Sequence, residues 1–117
     1  MSNLKFANGA ILGTKLINKI NIFSKGQSRD ALEIHLSNEN NSFDDLYQLV
    51  SNPSNLGDIF VLDGDNEYAY PNYEIFHSIK YENDEFVLTI AQLTEQEIKY
   101  NELLKMIEKL EGWYYGY

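Results

Sequence analysis

Cysteine is absent from this 117-residue chain, which also has only two prolines and one tryptophan. The lack of cysteine excludes disulfides and thiolate-bound zinc, and is typical of proteins that remain in the cytosol. No apolar run approaches the roughly 20 residues that a membrane-spanning helix needs. The amino-terminal segment also lacks the small-residue cleavage site of a signal peptide. These absences predict a cytosolic protein without a membrane span.

The residues that are present indicate one acidic globular domain. Apolar residues make up 44% of the chain and aromatic residues 14%, which is enough for a single core. The net charge is −9, and it is uneven: residues 1–57 sum to zero, so residues 58–117 carry all of it. Because an acidic surface repels phosphate backbones and anionic lipids, we expect no direct contact with nucleic acid or membrane.

The apolar spacings predict an α+β fold. A turn-rich segment between two strand-like runs predicts a β-hairpin, and Ser42 predicts the cap of a short helix that ends before Pro53. Three further strand-like runs predict a meander. The expected architecture is an antiparallel β-sheet, made of the hairpin and the three-stranded meander, with a short helix and a C-terminal amphipathic helix. The strand segments are 15–23 and 30–36 for the hairpin, and 58–62, 67–82 and 86–93 for the meander.

The closing helix has the clearest boundary signals. Thr94 and Glu97 predict a capping box, and Gly112 predicts the end of the helix. An apolar stripe follows at 3-4-3 spacing, and it fits either packing on the sheet or a short coiled-coil seam. Only about one and a half heptads are present, which favours packing on the sheet. We therefore expect one domain over residues 1–112 and an aromatic tail over 113–117. The stripe consists of Tyr100, Leu103, Ile107 and Leu110.

No set of residues with catalytic spacing is found. The acids Asp63, Asp65 and Glu67 resemble the start of a calcium loop, but Tyr68 stands where that loop needs glycine, so a solvated hairpin turn is favoured. The two histidines, His35 and His77, have no second ligand at metal-binding spacing on their own strands. Phosphate-binding and nucleophile motifs are also missing. We expect no enzyme activity, no cofactor and no metal.

Aromatic and acidic clusters in the second half of the chain predict a protein-binding surface instead. Exposed tyrosine and tryptophan are favoured at interfaces, although covering a core edge is an equally good interpretation here. A regular meander would bring the turn at 63–67 and the start of the closing helix to the same end, which predicts an acidic patch there. The candidate partner-binding residues are Asp63, Asp65, Glu67, Tyr68, Tyr70, Tyr73, Glu95, Glu97, Trp113, Tyr114, Tyr115 and Tyr117.

Three segments of the chain carry a family resemblance: RDALEIHL, SFDDLYQLVSNPSNLGDIFVLDGDNEYAYPNYEI and FVLTIAQLTEQE. Together they cover roughly residues 29–110. They resemble small uncharacterised proteins that are encoded among the tail and late genes of phages of Gram-positive bacteria. That family has no established catalytic residues, so the resemblance assigns none. It implies a phage or prophage origin and a structural or accessory role late in infection.

Two kinds of contact function remain open at this point. The first is a small structural or assembly component of the phage tail or baseplate, with self-association through the closing helix and tail as one option. The second is an inhibitor of a host defence protein, similar to an anti-CRISPR factor, whose acidic surface would block a nucleic-acid-binding groove. The partner would be a phage structural protein or a host defence protein, met in the host cytoplasm or in the virion.

Overall fold

The computed structural model describes residues 2–114, with side chains up to Leu110. This part of the chain forms two antiparallel four-stranded sheets, two α-helices and a 3-10 turn at Pro53–Asn55. The α+β class is thus confirmed. The strands are β1 (Asn3–Lys5), β2 (Ile11–Gly13), β3 (Leu16–Ser24), β4 (Gln27–Ser37), β5 (Gly57–Asp63), β6 (Asn66–Tyr73), β7 (Ile75–Glu82) and β8 (Glu85–Ala91), and the helices are α1 (Phe43–Ser51) and α2 (Glu95–Tyr114).

The two sheets share one hydrophobic core. The first sheet has the order β2-β1-β5-β6 and the second has the order β3-β4-β8-β7. Side chains on alternate strand positions point inward, and most of the buried strand residues of the core come from β1, β4, β5 and β8. Helix α1 closes the core with Leu46 and Val50. The inward-facing strand residues include Leu4, Leu32, Ile34, Leu36, Ile59, Val61, Phe86, Leu88 and Ile90.

Two local predictions are confirmed. β3 and β4 form the expected hairpin, in which Ser24 pairs with Gln27 around a turn at Lys25 and Gly26. Helix α1 begins after Ser42, whose hydroxyl oxygen accepts a hydrogen bond of 3.2 Å from the backbone N–H of Asp45. Both features are encoded by residues only a few positions apart.

The predicted single meander is wrong in one respect. The segment 67–82 is two strands instead of one, because the chain leaves the first sheet after β6 and enters the second sheet with β7. Asn72 lies just before this junction with φ of 63°, a left-handed conformation that asparagine tolerates better than most residues. Pro71 has no N–H to donate, which fits its place on an edge strand. The chain therefore switches sheets at Glu74.

Helix α2 projects from this body. The molecule measures 56 × 29 × 29 Å, and every side chain from Lys99 to Leu110 is exposed. The prediction that the apolar stripe packs on the sheet is therefore wrong. The helix also does not end at Gly112, since Trp113 and Tyr114 continue its backbone, while Tyr115 and Tyr117 lie outside the described residues. Neither helix in the described part of the chain has the length and apolar character that crossing a bilayer requires.

Candidate interaction surface

The first turn of α2 is closed by the predicted capping box. The backbone N–H of Thr94 donates to the Glu97 carboxylate at 2.9 Å, and the N–H of Glu97 donates to the Thr94 hydroxyl oxygen at 3.3 Å. Each bond satisfies a backbone donor that has no partner within the helix. The prediction is confirmed, and the box sets where α2 begins.

A buried arginine fixes the same turn to the second sheet. Arg29 on β4 is only 2% exposed, and its guanidinium binds both carboxylate oxygens of Glu97, with Nη2 2.9 Å from Oε2. Its Nε also donates to the Ser24 carbonyl at 3.0 Å. The hydrogen bond from Arg29, with support from Thr94, lowers the pKa of Glu97 to about 2. Glu97 is therefore an anchor for α2 and not a free surface acid.

The segment before α2 is also tied to the point where the chain switches sheets. The Leu93 N–H donates to the Asn72 carbonyl at 2.9 Å, and the Gln92 side chain donates to the Pro71 carbonyl at 2.9 Å. Because Asn72 and Pro71 belong to the first sheet and Arg29 to the second, the base of α2 is held by both sheets. The direction in which the helix leaves the body is set by these contacts.

The polar side of α2 faces its own body. Asn101, Lys105 and Glu108, together with the half-exposed Leu104, line an open groove of about 420 Å³, whose other wall includes Asn72 and Glu74. Successive helical residues are rotated by about 100°, so positions two residues before and after Leu103 lie on the side opposite to it. The apolar stripe therefore points away from the protein.

This outward stripe, called the α2 seam, is the main exposed apolar surface in the described part of the chain. Its four residues are Tyr100, Leu103, Ile107 and Leu110, which are 61%, 53%, 41% and 64% exposed, and Leu104 and Met106 flank them. These side chains supply part of the ~800 Å² that each partner buries in a stable interface. Contiguous exposed apolar patches mark interaction sites in soluble proteins.

The acidic patch predicted at one end of the sheet does not form. Asp63 ends β5, Asp65 lies in the turn and Glu67 lies at the start of β6, whereas Glu95 follows the contact between Leu93 and Asn72 at the other end of β6. At about 3.3 Å per residue, the eight residues of β6 separate the two groups by roughly 25 Å. The switch between sheets causes this separation. β8 pairs with β7 in the second sheet, whereas the turn at 63–67 joins β5 and β6 in the first sheet, so β8 does not run back to that turn.

The predicted tyrosines occupy different environments. Tyr73 is 4% exposed and packs in the core, with its ring centroid 5.7 Å from that of Tyr70 in an edge-to-face arrangement. Tyr70 is half-buried beneath the Lys19 ammonium, 5.2 Å from the ring centroid, and Tyr68 is half exposed at the sheet edge. Tyr70 thus covers an edge of the core, whereas Tyr68 stays exposed. Trp113 and Tyr114 lie on the helix backbone, beyond the described side chains.

A polar cluster that the sequence analysis missed lies on the second sheet. Both ring nitrogens of His35 face carboxylates: Nδ1 is 2.5 Å from Glu85, and Nε2 is 2.8 Å from Glu33. Lys15 also binds Glu85 at 3.0 Å. Partial burial lowers the pKa of His35, but the two carboxylates outweigh it and the net pKa is raised, while the pKa values of Glu33 and Glu85 are lowered. The imidazolium, with two N–H donors, fits this site.

No group of three or more potential metal ligands comes together within residues 2–114. Comparison with protein-family models, with curated proteins and with solved structures gave no match. The resemblance to phage late proteins stays a prediction, and what the protein does must be inferred from its own surface.

Proposed function

We propose that the protein acts by protein–protein contact, without catalysis, and that the α2 seam is its contact surface. The observation that carries this proposal is the orientation of α2: its polar side faces its own body, and its apolar side faces solvent. A helix that served only to cover the core would have the opposite orientation.

The energetics of an exposed helix support the proposal. Most helical stability in proteins comes from packing an apolar face against another element. Residues 99–110 receive no such packing from the body, since all of them are exposed. A partner that covers Leu103 and Ile107 would supply it. Recognition of an amphipathic helix through residues spaced three and four apart is a common binding mode.

Within this class we favour a structural or assembly component of a phage tail or baseplate. The resemblance of residues 29–110 to phage late proteins supports the phage origin, and a helix anchored to both sheets supports a role in assembly. The alternative, an acidic inhibitor of a host nucleic-acid-binding protein, needs a continuous negative surface. It loses support because the turn at 63–67 and the start of α2 lie roughly 25 Å apart.

The test is incorporation into purified virions of the phage that encodes the chain. We expect the wild-type protein to be present, Leu103→Glu to be lost from the particles, and Asn101→Glu to be retained. The two variants add the same charge, but Asn101 lies on the side of α2 that faces the body. Absence of the wild-type protein from virions, or equal incorporation of both variants, would overturn the proposal.

A further inference from the structure

We infer that the α2 seam is covered by the same seam of a second copy of this chain, in an antiparallel pair whose two-fold axis crosses the seam at the level of residue 105. This inference deepens the proposed function and rests on it, because it names the partner of the surface assigned above. A two-fold interface uses the same patch on both subunits, so the patch must be complementary to itself.

The seam meets that requirement by its spacing. Tyr100, Leu103, Ile107 and Leu110 follow the 3-4-3 pattern of a coiled-coil interface. When one helix is reversed about Lys105, Tyr100 lies opposite the partner copy's seam at position 110, and Leu103 lies opposite position 107. Every seam residue thus has a partner in the other copy: Tyr100 packs against a leucine, and Leu103 packs against an isoleucine.

A flanking residue extends the apolar contact at its centre. Met106 and Leu104 lie one position on either side of Lys105, and they are 61% and 40% exposed. In the antiparallel arrangement Met106 lies near the two-fold axis and close to Met106 of the other copy, while Leu104 lies at the edge of the seam, beside the groove that faces the body. Met106 therefore widens the apolar contact at its centre. The exposed seam supplies apolar area towards the ~800 Å² per partner that a stable interface buries.

The charge distribution favours the antiparallel orientation. Residues 99–110 contain three lysines and two glutamates and carry a net charge of +1, so the rest of the chain carries −10. Two copies of this segment can therefore meet with only weak repulsion, whereas two bodies repel. An antiparallel pair holds the bodies at opposite ends, and charges separated by more than the ~8 Å Debye length are largely screened. Antiparallel helix dipoles add to this preference.

Sedimentation analysis of the full chain tests self-association. We expect a dimer with twice the 13.6 kDa chain mass at micromolar concentration. Leu103→Glu should raise the dissociation constant on the order of 100-fold, because each pair would bury two added charges in the seam. Asn101→Glu should leave it unchanged. Circular dichroism should show the same folded body in both variants, since the side chain of Leu103 is exposed in the single chain.

Disulfide cross-linking tests the orientation of the two helices. Because the native chain has no cysteine, only the introduced cysteines can form a disulfide. Tyr100→Cys and Leu110→Cys variants are mixed and mildly oxidised, and the products are identified by mass. The antiparallel pair predicts the mixed disulfide between the two variants. Disulfides only within each variant would indicate a parallel pair and overturn the inference.

The two proposals fail separately. A wild-type chain that sediments as a monomer overturns the inference of a second copy, while loss of Leu103→Glu from virions would still support contact through α2. A dimer that survives Leu103→Glu also overturns the inference, because the seam would then not be the interface. A dimer that depends on Leu103, in a protein missing from virions, supports the inference and overturns the assembly role.

Discussion

One buried side chain, Arg29, fixes the first turn of α2 to the second sheet. Arg29 has no solvent contact to compensate its charge, so its partners Glu97, Ser24 and Gln92 must do so. A buried ion pair contributes little compared with an apolar replacement, but breaking it leaves an unpaired charge. The sequence predicts Glu97 as a cap and as a surface acid. The contact of Glu97 with Arg29 spans 68 positions, so no local pattern encodes it.

The first prediction concerns this pair. Glu97→Gln should lower the free energy of unfolding by about 2–4 kcal/mol, because the buried guanidinium of Arg29 loses its counter-charge. Urea unfolding followed by circular dichroism measures the change. Glu95→Gln is the matched control, since Glu95 lies in the same turn but is exposed. Equal losses in the two variants would contradict the anchoring role of Glu97.

The same pair makes a prediction about acid. The pKa of Glu97 is lowered from 4.5 to about 2, so its contribution to stability is complete above pH 4.5 and is lost as the pH falls towards 2. The difference in unfolding free energy between the wild-type chain and Glu97→Gln should therefore shrink over this range. A difference that stays constant from pH 6 down to about pH 2 would count against the assigned pKa.

The His35 cluster predicts the opposite dependence. Its pKa is raised above 6.5, so the stabilisation by imidazolium is complete below pH 6.5 and is lost as the pH rises through the raised pKa. The lowered pKa values of Glu33 and Glu85 mean that their contributions are lost in acid. Compared with His35→Gln, the wild-type chain should gain most stability in weak acid and lose that advantage towards alkaline pH. Denaturant unfolding across pH measures it, and a flat difference would contradict the cluster.

At the scale of elements, the sequence predicts best what is local. The hairpin of β3 and β4, the cap at Ser42 and the box at Thr94 each depend on residues a few positions apart, and all three are confirmed. β1 and β2 were missed because each has only three residues and is stabilised by pairing with distant β5 or with its neighbour. The switch between sheets at Glu74 was missed for the same reason, since strand pairing is tertiary.

The candidate site was predicted only in part. The 3-4-3 stripe of α2 is visible in the sequence, but whether it faces the body or solvent depends on the angle at which α2 leaves the sheets. That angle is set by Arg29 and by the contact between Leu93 and Asn72, which link distant segments. Local patterns therefore could not decide whether the stripe packs on the sheet, and the prediction of sheet packing is wrong.

Comparing a truncation in the α2 seam with a truncation in the core tests whether α2 faces solvent. Leu103→Ala should change the unfolding free energy of the single chain by less than about 0.5 kcal/mol, because surface substitutions have small effects. Leu46→Ala is the control: Leu46 is 2% exposed, so its truncation should cost about 2–5 kcal/mol. Both are measured by urea unfolding at high dilution. A cost for Leu103 similar to that for Leu46 would mean that the seam packs against the body.

At the scale of the whole molecule, the protein divides its surface between charge and apolar contact. The acidic body lies at one end of a 56 Å particle, and a nearly neutral helix extends from it. Net charge far from zero keeps such bodies apart in solution, whereas the α2 seam offers one place where chains can meet. Contact through α2 therefore depends on the acidic body, the anchored base of the helix and the exposed seam together, and not on any single residue.

Amide hydrogen exchange along α2 tests this account most directly. In dilute protein the amides of residues 99–110 should exchange rapidly, because an uncovered helix opens easily, while those of β4 and β8 exchange slowly. In the assembled protein the amides of 99–110 should become protected, and Asn101→Glu should keep that protection while Leu103→Glu loses it. Rapid exchange of residues 99–110 in both states would contradict the claim that the α2 seam is a contact surface.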